Sequence, residues 1–251
     1  MNYAVDVENL SVDYESHLVL DNITWRVETG SLAAVIGPNG GGKSTLLKSL
    51  LSLVPIAAGS VRIFGEEPKK ARVQVAYLPQ REEVDWSFPI SCLDVVLQGR
   101  LARLRWWQHP KRRDRDLAEA CLQKVGMGVY ASRPIGSLSG GQIQRVFIAR
   151  ALAQEAKLII MDEPGAGLDA AAQHQLLDLF LELQRQGHTI VISTHDLNCL
   201  AAGFDTVLGL DRQVVMFGAP ADVLDGKRLT RLFAKHFPVI GPEGEVSIHE
   251  H

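Results

Sequence analysis

The chain is 251 residues long, 46% apolar and 22% charged, with a formal net charge of −3. That fits one large soluble α/β domain, with room for a subdomain and a core that needs no metal or disulfide staple; nothing in it calls for a polyanionic partner. Cys92, Cys121 and Cys199 are scattered and form no C-x-x-C pair, which favours a reduced, cytoplasmic compartment, and no apolar run approaches the roughly 18–20 residues of a membrane span.

The opening Met1-Asn2-Tyr3-Ala4-Val5-Asp6 is interrupted by a charge and is not expected to be a signal peptide. Val5 to Leu10 alternates apolar and polar, and Leu18 to Val27 carries β-branched and aromatic residues around the turn-like Asp21-Asn22, so the first 35 residues are expected to be strand-rich. Ser31 to Ile36 predicts a buried strand feeding a glycine-rich loop. Ser44 to Leu53, apolar at Leu46, Leu47, Leu50, Leu51 and Leu53, predicts a helix behind it. A pair of strands is expected at Ser60 to Phe64 and Val73 to Leu78. From about residue 82 to 153 the chain turns rich in Arg, Leu and Ala and predicts helices. Strands return at Leu158 to Met161 and Thr189 to Ser193 around a helix from Ala170 to Gln186, and Thr206 to Leu210 with Gln213 to Phe217 predicts a hairpin.

The glycine loop is Gly37-Pro38-Asn39-Gly40-Gly41-Gly42-Lys43-Ser44-Thr45, a complete G-x-x-x-x-G-K-[ST] motif between strand and helix. Its backbone N–H groups converge on phosphates that side chains would keep away, Lys43 supplies a point charge for the β and γ phosphates, and the Ser44 hydroxyl can ligate Mg²⁺. Leu158-Ile159-Ile160-Met161-Asp162-Glu163 is an apolar strand ending in two carboxylates. Asp162 fits the magnesium-holding acid at such a strand end, and Glu163, one residue nearer solvent, can polarise an attacking water. An acidic pair alone is more often a solvated loop start. Order along the chain tips the balance.

Leu138-Ser139-Gly140-Gly141-Gln142 opens a helix through Val146, Ile148, Ala149 and Leu152, with Ser139 as a good N-cap and an anion site in the following amides. Together with the glycine loop it resembles the ATP-binding cassette ATPases, which drive transport through separate membrane proteins. The resemblance implies a P-loop NTPase (RecA-like) α/β core with an N-terminal antiparallel β subdomain and an inserted α-helical subdomain. The expected division is a nucleotide-binding core over residues 1–81 and 154–240, a helical signature subdomain over 82–153 and a tail over 241–251. It implies that Gln80, after Tyr77-Leu78-Pro79, is the Q-loop residue sensing Mg²⁺ and water. His195, in Ser193-Thr194-His195-Asp196, becomes the switch histidine at the γ-phosphate, Asp169 the D-loop acid at the subunit contact, and Tyr14 an adenine-stacking aromatic. Ser139, Gly140, Gly141 and Gln142 would bind the γ-phosphate held by the partner subunit, so ATP with Mg²⁺ would be clasped in a head-to-tail homodimer. Gly41 stands where alanine is more usual, and Gly165 and Gly167 loosen the D-loop; neither removes a phosphate contact.

Val84-Asp85-Trp86-Ser87-Phe88-Pro89-Ile90 followed by Asp94 to Arg100 is similar to the branch serving manganese, zinc and iron importers. Trp86 and Phe88 are read there either as a socket for a permease helix or as ordinary core. The implied function is the ATP-hydrolysing, energy-coupling subunit of a divalent-metal importer, peripheral on the cytoplasmic face of the inner or plasma membrane. It would be bound to permease subunits and served indirectly by an extracytoplasmic metal-binding protein, with no nucleic-acid partner. An importer of another substrate, such as chelated iron, is the alternative. A soluble cassette of repair or translation would carry a long insertion or two cassettes, and a GTPase would carry N-K-x-D; neither feature is present. The run Arg100 to Arg115 holds seven Lys or Arg residues with Trp106 and Trp107. It reads first as a solvated helix face, with anionic lipid heads as the lesser alternative. Ser247 to His251 offers His249, Glu250 and His251 as metal ligands, but three ligands on a terminal tail hold an ion weakly.

Overall fold

A computed structural model of the chain describes residues 2–14, 17–80, 89–195, 203–233, 239–240 and 246–247. Trp86, Phe88, Asp196, His249, Glu250 and His251 lie outside the described residues.

Two sheets organise the chain. Strands β1 (Tyr3–Tyr14), β2 (His17–Glu28) and β4 (Ala58–Ile63) form a three-stranded antiparallel sheet in the order β2-β1-β4. The six-stranded sheet runs β5-β6-β7-β3-β8-β9, from β3 (Leu32–Ile36), β5 (Val75–Leu78), β6 (Leu158–Asp162), β7 (Thr189–Thr194), β8 (Thr206–Asp211) and β9 (Gln213–Gly218). All its ladders are parallel except the β8–β9 hairpin. The strands expected at 60–64 and 73–78 do not pair with each other. β4 has a half-exposed, alternating pattern and joins the outer antiparallel sheet, whereas β5 is largely buried and joins the parallel one beside β6. A two-residue ladder, β10 (Val239–Ile240) with β11 (Val246–Ser247), completes the strands described.

β3 is buried along its whole length and divides its residues between two cores. Ala33 and Val35 face a cluster with Val5, Val7, Trp25 and the first helix, α1 (Lys43–Ser49). Leu32, Ala34 and Ile36 face a second cluster filled by the helical layer. This is the two-residue period of a strand covered on both faces. Helix α1 ends at Ser49, several residues before Leu53, which is exposed in the turn beyond. A short helix, α2 (Pro68–Ala71), precedes β5.

The helical layer is α3 (Cys92–Leu101), α4 (Arg112–Lys124), α5 (Gly140–Ala153) and, following β6, α6 (Ala170–Arg185). Short α7 (Pro220–Val223) and α8 (Gly226–Phe233) pack against the hairpin. Arg100 pins the layer together: its guanidinium donates to Asp114 at 3.0 Å, to the Ala153 carbonyl at 2.8 Å and to Glu155 at 2.7 Å. Arg103 donates to the Gln154 and Glu155 carbonyls. Residues 100–115 are therefore not one solvated face: a loop separates α3 from α4, and two of the arginines are structural. At the far end of α5, Gln154 donates to the Val75 carbonyl at 2.8 Å and Arg150 to the Tyr77 carbonyl at 3.3 Å. The layer is thus tied to the strand that leads to Gln80.

Candidate functional site

The parallel register gathers the site. Ile36 sits opposite Thr194, and Asp162 opposite Ser193, so β3, β6 and β7 end side by side at one sheet edge. β5 ends one strand further out, with Leu78 opposite Met161, which brings Pro79-Gln80 past the same edge. Carboxyl ends of parallel strands are where α/β folds bind ligands. Four stretches distant in sequence meet there: the glycine loop, Gln80, Asp162-Glu163 and His195.

The loop is glycine-built for steric reasons. A Cβ on Gly37 would run into the Leu210 carbonyl of β8, and Gly42, at φ 93°, would press one against Leu20 at 2.6 Å. Arg212 donates its amide to the Gly41 carbonyl at 3.0 Å, so the β8–β9 turn braces the loop from outside. Lys43 is buried; its ammonium donates to the Gly37 and Pro38 carbonyls at 3.0 and 3.1 Å and lies 3.7 Å from Glu163 Oε1. Two carbonyl acceptors and the nearby Glu163 carboxylate thereby fix its charge at the loop.

Glu163 adopts a left-handed backbone, φ 48°, a conformation non-glycine residues hold only when their surroundings impose it. What imposes it is Ser193, buried on β7. Its hydroxyl accepts from the Glu163 amide at 2.9 Å and donates to Asp162 Oδ1 through a very short hydrogen bond. In the sequence Ser193 reads only as part of a strand, because its contact with Asp162 and Glu163 depends on the register between β6 and β7. Asp162 Oδ2 is buried and has no hydrogen-bond partner among the described residues. An unpaired buried carboxylate oxygen costs free energy that a cation would recover. The hard oxygen donors of Asp162, Ser44 and Gln80 suit Mg²⁺. His195, 60% exposed, places Nδ1 3.4 Å from Glu163 Oε2.

Other expected residues sit further out. Tyr14 ends β1, 41% exposed, and the neighbouring His17, Leu18 and Val19 line a hollow with Gly40 and Arg212, on the outer side of the loop. Asp169 caps α6, its Oδ1 accepting from the Ala172 amide at 2.7 Å. Ser139 caps α5 in a reciprocal box with Gln142, at 3.4 and 3.0 Å. Gly141 faces Ala172 and Leu168 rather than the glycine loop. Among the described residues, no hydrogen bond or ion pair joins Ser139–Gln142 to Gly37–Thr45.

The doubly covered parallel sheet, the phosphate loop and the acidic strand end define a P-loop nucleoside triphosphatase. The family model described as "ABC transporter" matches residues 20–166. The manganese transport system ATP-binding protein MntB of Halalkalibacterium halodurans is 42% identical over 248 residues, covering 99% of each chain. The zinc transport system ATP-binding protein TroB of Treponema pallidum is 44% identical over 231 residues, 92% of this chain and 87% of its own. Among solved structures, CbiO1 of Clostridium perfringens, part of the CbiONQ ABC transporter complex, superposes with a TM-score of 0.80 at 27% identity, covering 96% and 98% of the two chains. The chain belongs to the ABC transporter family, as an ATP-binding subunit whose ATP hydrolysis is coupled to transport. No helix among the described residues is long and apolar enough to cross a membrane.

Proposed function

We propose that this chain is the energy-coupling ATPase of an importer for divalent manganese or zinc, with iron as a further candidate. It would act as a homodimer on the cytoplasmic face of the membrane, docked on permease subunits that receive the ion from an extracytoplasmic metal-binding protein. Two supports carry this reading. One is the shared edge of β3, β6 and β7, which equips the chain to hydrolyse ATP. The other is full-length similarity to manganese and zinc transport subunits.

The loop amides from Gly37 to Thr45 hold the phosphates, and Lys43, already fixed between two loop carbonyls, neutralises charge on the β and γ groups. Tyr14 stacks on the adenine. Asp162, Ser44 and Gln80 would hold Mg²⁺, which would supply positive charge to offset that of the phosphates. Glu163 orients the attacking water and accepts its proton, while His195, beside it, contacts the γ-phosphate. The amides after Ser139 of the opposing copy spread the γ-phosphate charge, and Asp169 lies at the contact between copies. Closure of two copies around two nucleotides, followed by hydrolysis and reopening, would reach the permease through the helical layer, tied to β5 by Arg150 and Gln154.

Reconstitution of the assembled transporter in vesicles tests the substrate. ATP-driven uptake of Mn²⁺ or Zn²⁺, with each ion competing against the other and against Fe²⁺, is the expected outcome. Uptake of an organic chelate with none of the free ions would overturn it.

A further inference from the structure

The loop joining α3 to α4 exposes what the rest of the molecule hides. Trp106 is 92% exposed and Trp107 56%, with Leu101 half exposed at the end of α3. The two indoles meet edge to face, centroids 5.5 Å apart, and the Arg105 guanidinium lies 5.4 Å over the Trp107 ring. Arg105, Lys111, Arg112 and Arg113 are exposed beside them, and none forms a salt bridge among the described residues. The nearby acids are already engaged: Asp114 is buried against Arg100, Glu155 pairs with Arg100 and Arg103, and Glu119 pairs with Arg115. Asp116 is the exposed exception. A chain of net charge −3 thus carries a concentrated cationic patch with two tryptophans at its apex.

Tryptophan is enriched at membrane–water interfaces, where its apolar body and polar N–H are satisfied together, and uncompensated Lys and Arg are drawn to anionic headgroups. The patch is a projecting loop rather than a concavity, and its charges are of one sign. That suits a soft anionic surface better than a complementary protein pocket. We propose that residues 101–113 form a membrane-surface contact, with Trp106 and Trp107 seated among lipid headgroups and Arg105, Lys111, Arg112 and Arg113 paired with anionic lipid phosphates. This goes beyond the transport reading and does not depend on which ion is carried.

The purified full-length chain is tested for co-flotation with vesicles of phosphatidylcholine, with and without a third of phosphatidylglycerol. Partitioning at least about tenfold stronger onto the anionic vesicles, weakening as salt rises, is expected. The Trp106→Ala/Trp107→Ala double variant should lose about tenfold of that partitioning. Arg112→Glu/Arg113→Glu should remove the preference for anionic lipid, and basal ATP turnover should persist in both variants. All four sites are exposed, and circular dichroism with an unchanged melting temperature should show that both variants retain the fold. Brominated lipid should quench the tryptophan fluorescence of the unaltered chain but much less that of the double variant. Equal partitioning by the unaltered chain and the variants, or none by either, would overturn the proposal. So would a loss in the tryptophan variant of binding to detergent-solubilised permease with vesicle partitioning unchanged, which would make the loop a protein contact.

Discussion

Ser193 sets what Asp162 and Glu163 can do. By accepting from one amide and donating to the other residue's carboxylate, its hydroxyl fixes the left-handed turn of Glu163 and leaves Asp162 Oδ2 as the free oxygen. Glu163→Gln keeps the shape and removes the proposed base; ATP should still bind, and turnover should fall by about 10²–10⁴-fold in a steady-state phosphate-release assay. Near-native turnover would take the base role from Glu163. Ser193→Ala should act through its neighbours, lowering turnover and Mg²⁺ affinity by about 10–100-fold, as losses of ligand-orienting partners do. A Mg²⁺ titration of ATPase rate distinguishes it from simple destabilisation, because excess Mg²⁺ should recover part of the activity of Ser193→Ala and none of Glu163→Gln.

At the scale of elements, an ion-pair cluster around Arg100 joins α3, α4 and the end of α5. The Lys111 amide and the Arg100 guanidinium hold the Asp114 carboxyl below the usual carboxylate range, and Arg100 does the same for the half-exposed Glu155. A depressed folded-state pKa stabilises the fold above the unfolded value, about 3.9 for Asp, and that stabilisation is lost as pH falls through the folded value. Thermal unfolding should therefore show stability declining below about pH 4. Asp114→Asn removes one of the two carboxylates paired with Arg100, which keeps Glu155 and the Ala153 carbonyl, and should cost about 1–3 kcal/mol near neutral pH, with a flatter response to acid. An unchanged melting temperature in that variant would show that the cluster contributes nothing.

For the whole molecule, the arrangement of Ser139–Gln142 on α5 and Gly37–Thr45 after β3 makes a single copy incomplete if both segments must touch one nucleotide. Lys43→Ala and Gly141→Arg should each abolish turnover. Mixing them should restore it, because one site of the mixed dimer takes its loop from one chain and its signature from the other. A mixture as inactive as its components, with dimers verified by light scattering, would rule against sharing of the site.

The sequence by itself determined the phosphate loop, the acidic strand end, the signature helix with its Ser139 cap, the buried parallel strands and the family, because these depend on local patterns: fixed glycine spacing, apolar runs and capping chemistry. It also located the hairpin and the helical insertion. What only the tertiary structure decided depends on register between distant segments. That includes the sorting of β4 and β5 into different sheets, the bridge from Ser193 to Asp162 and Glu163, and the division of Arg100–Arg115 into a buried clasp and an exposed tryptophan loop. No residue in those stretches announces its partner, since a buried arginine and a solvated one look alike until the chain is folded around them.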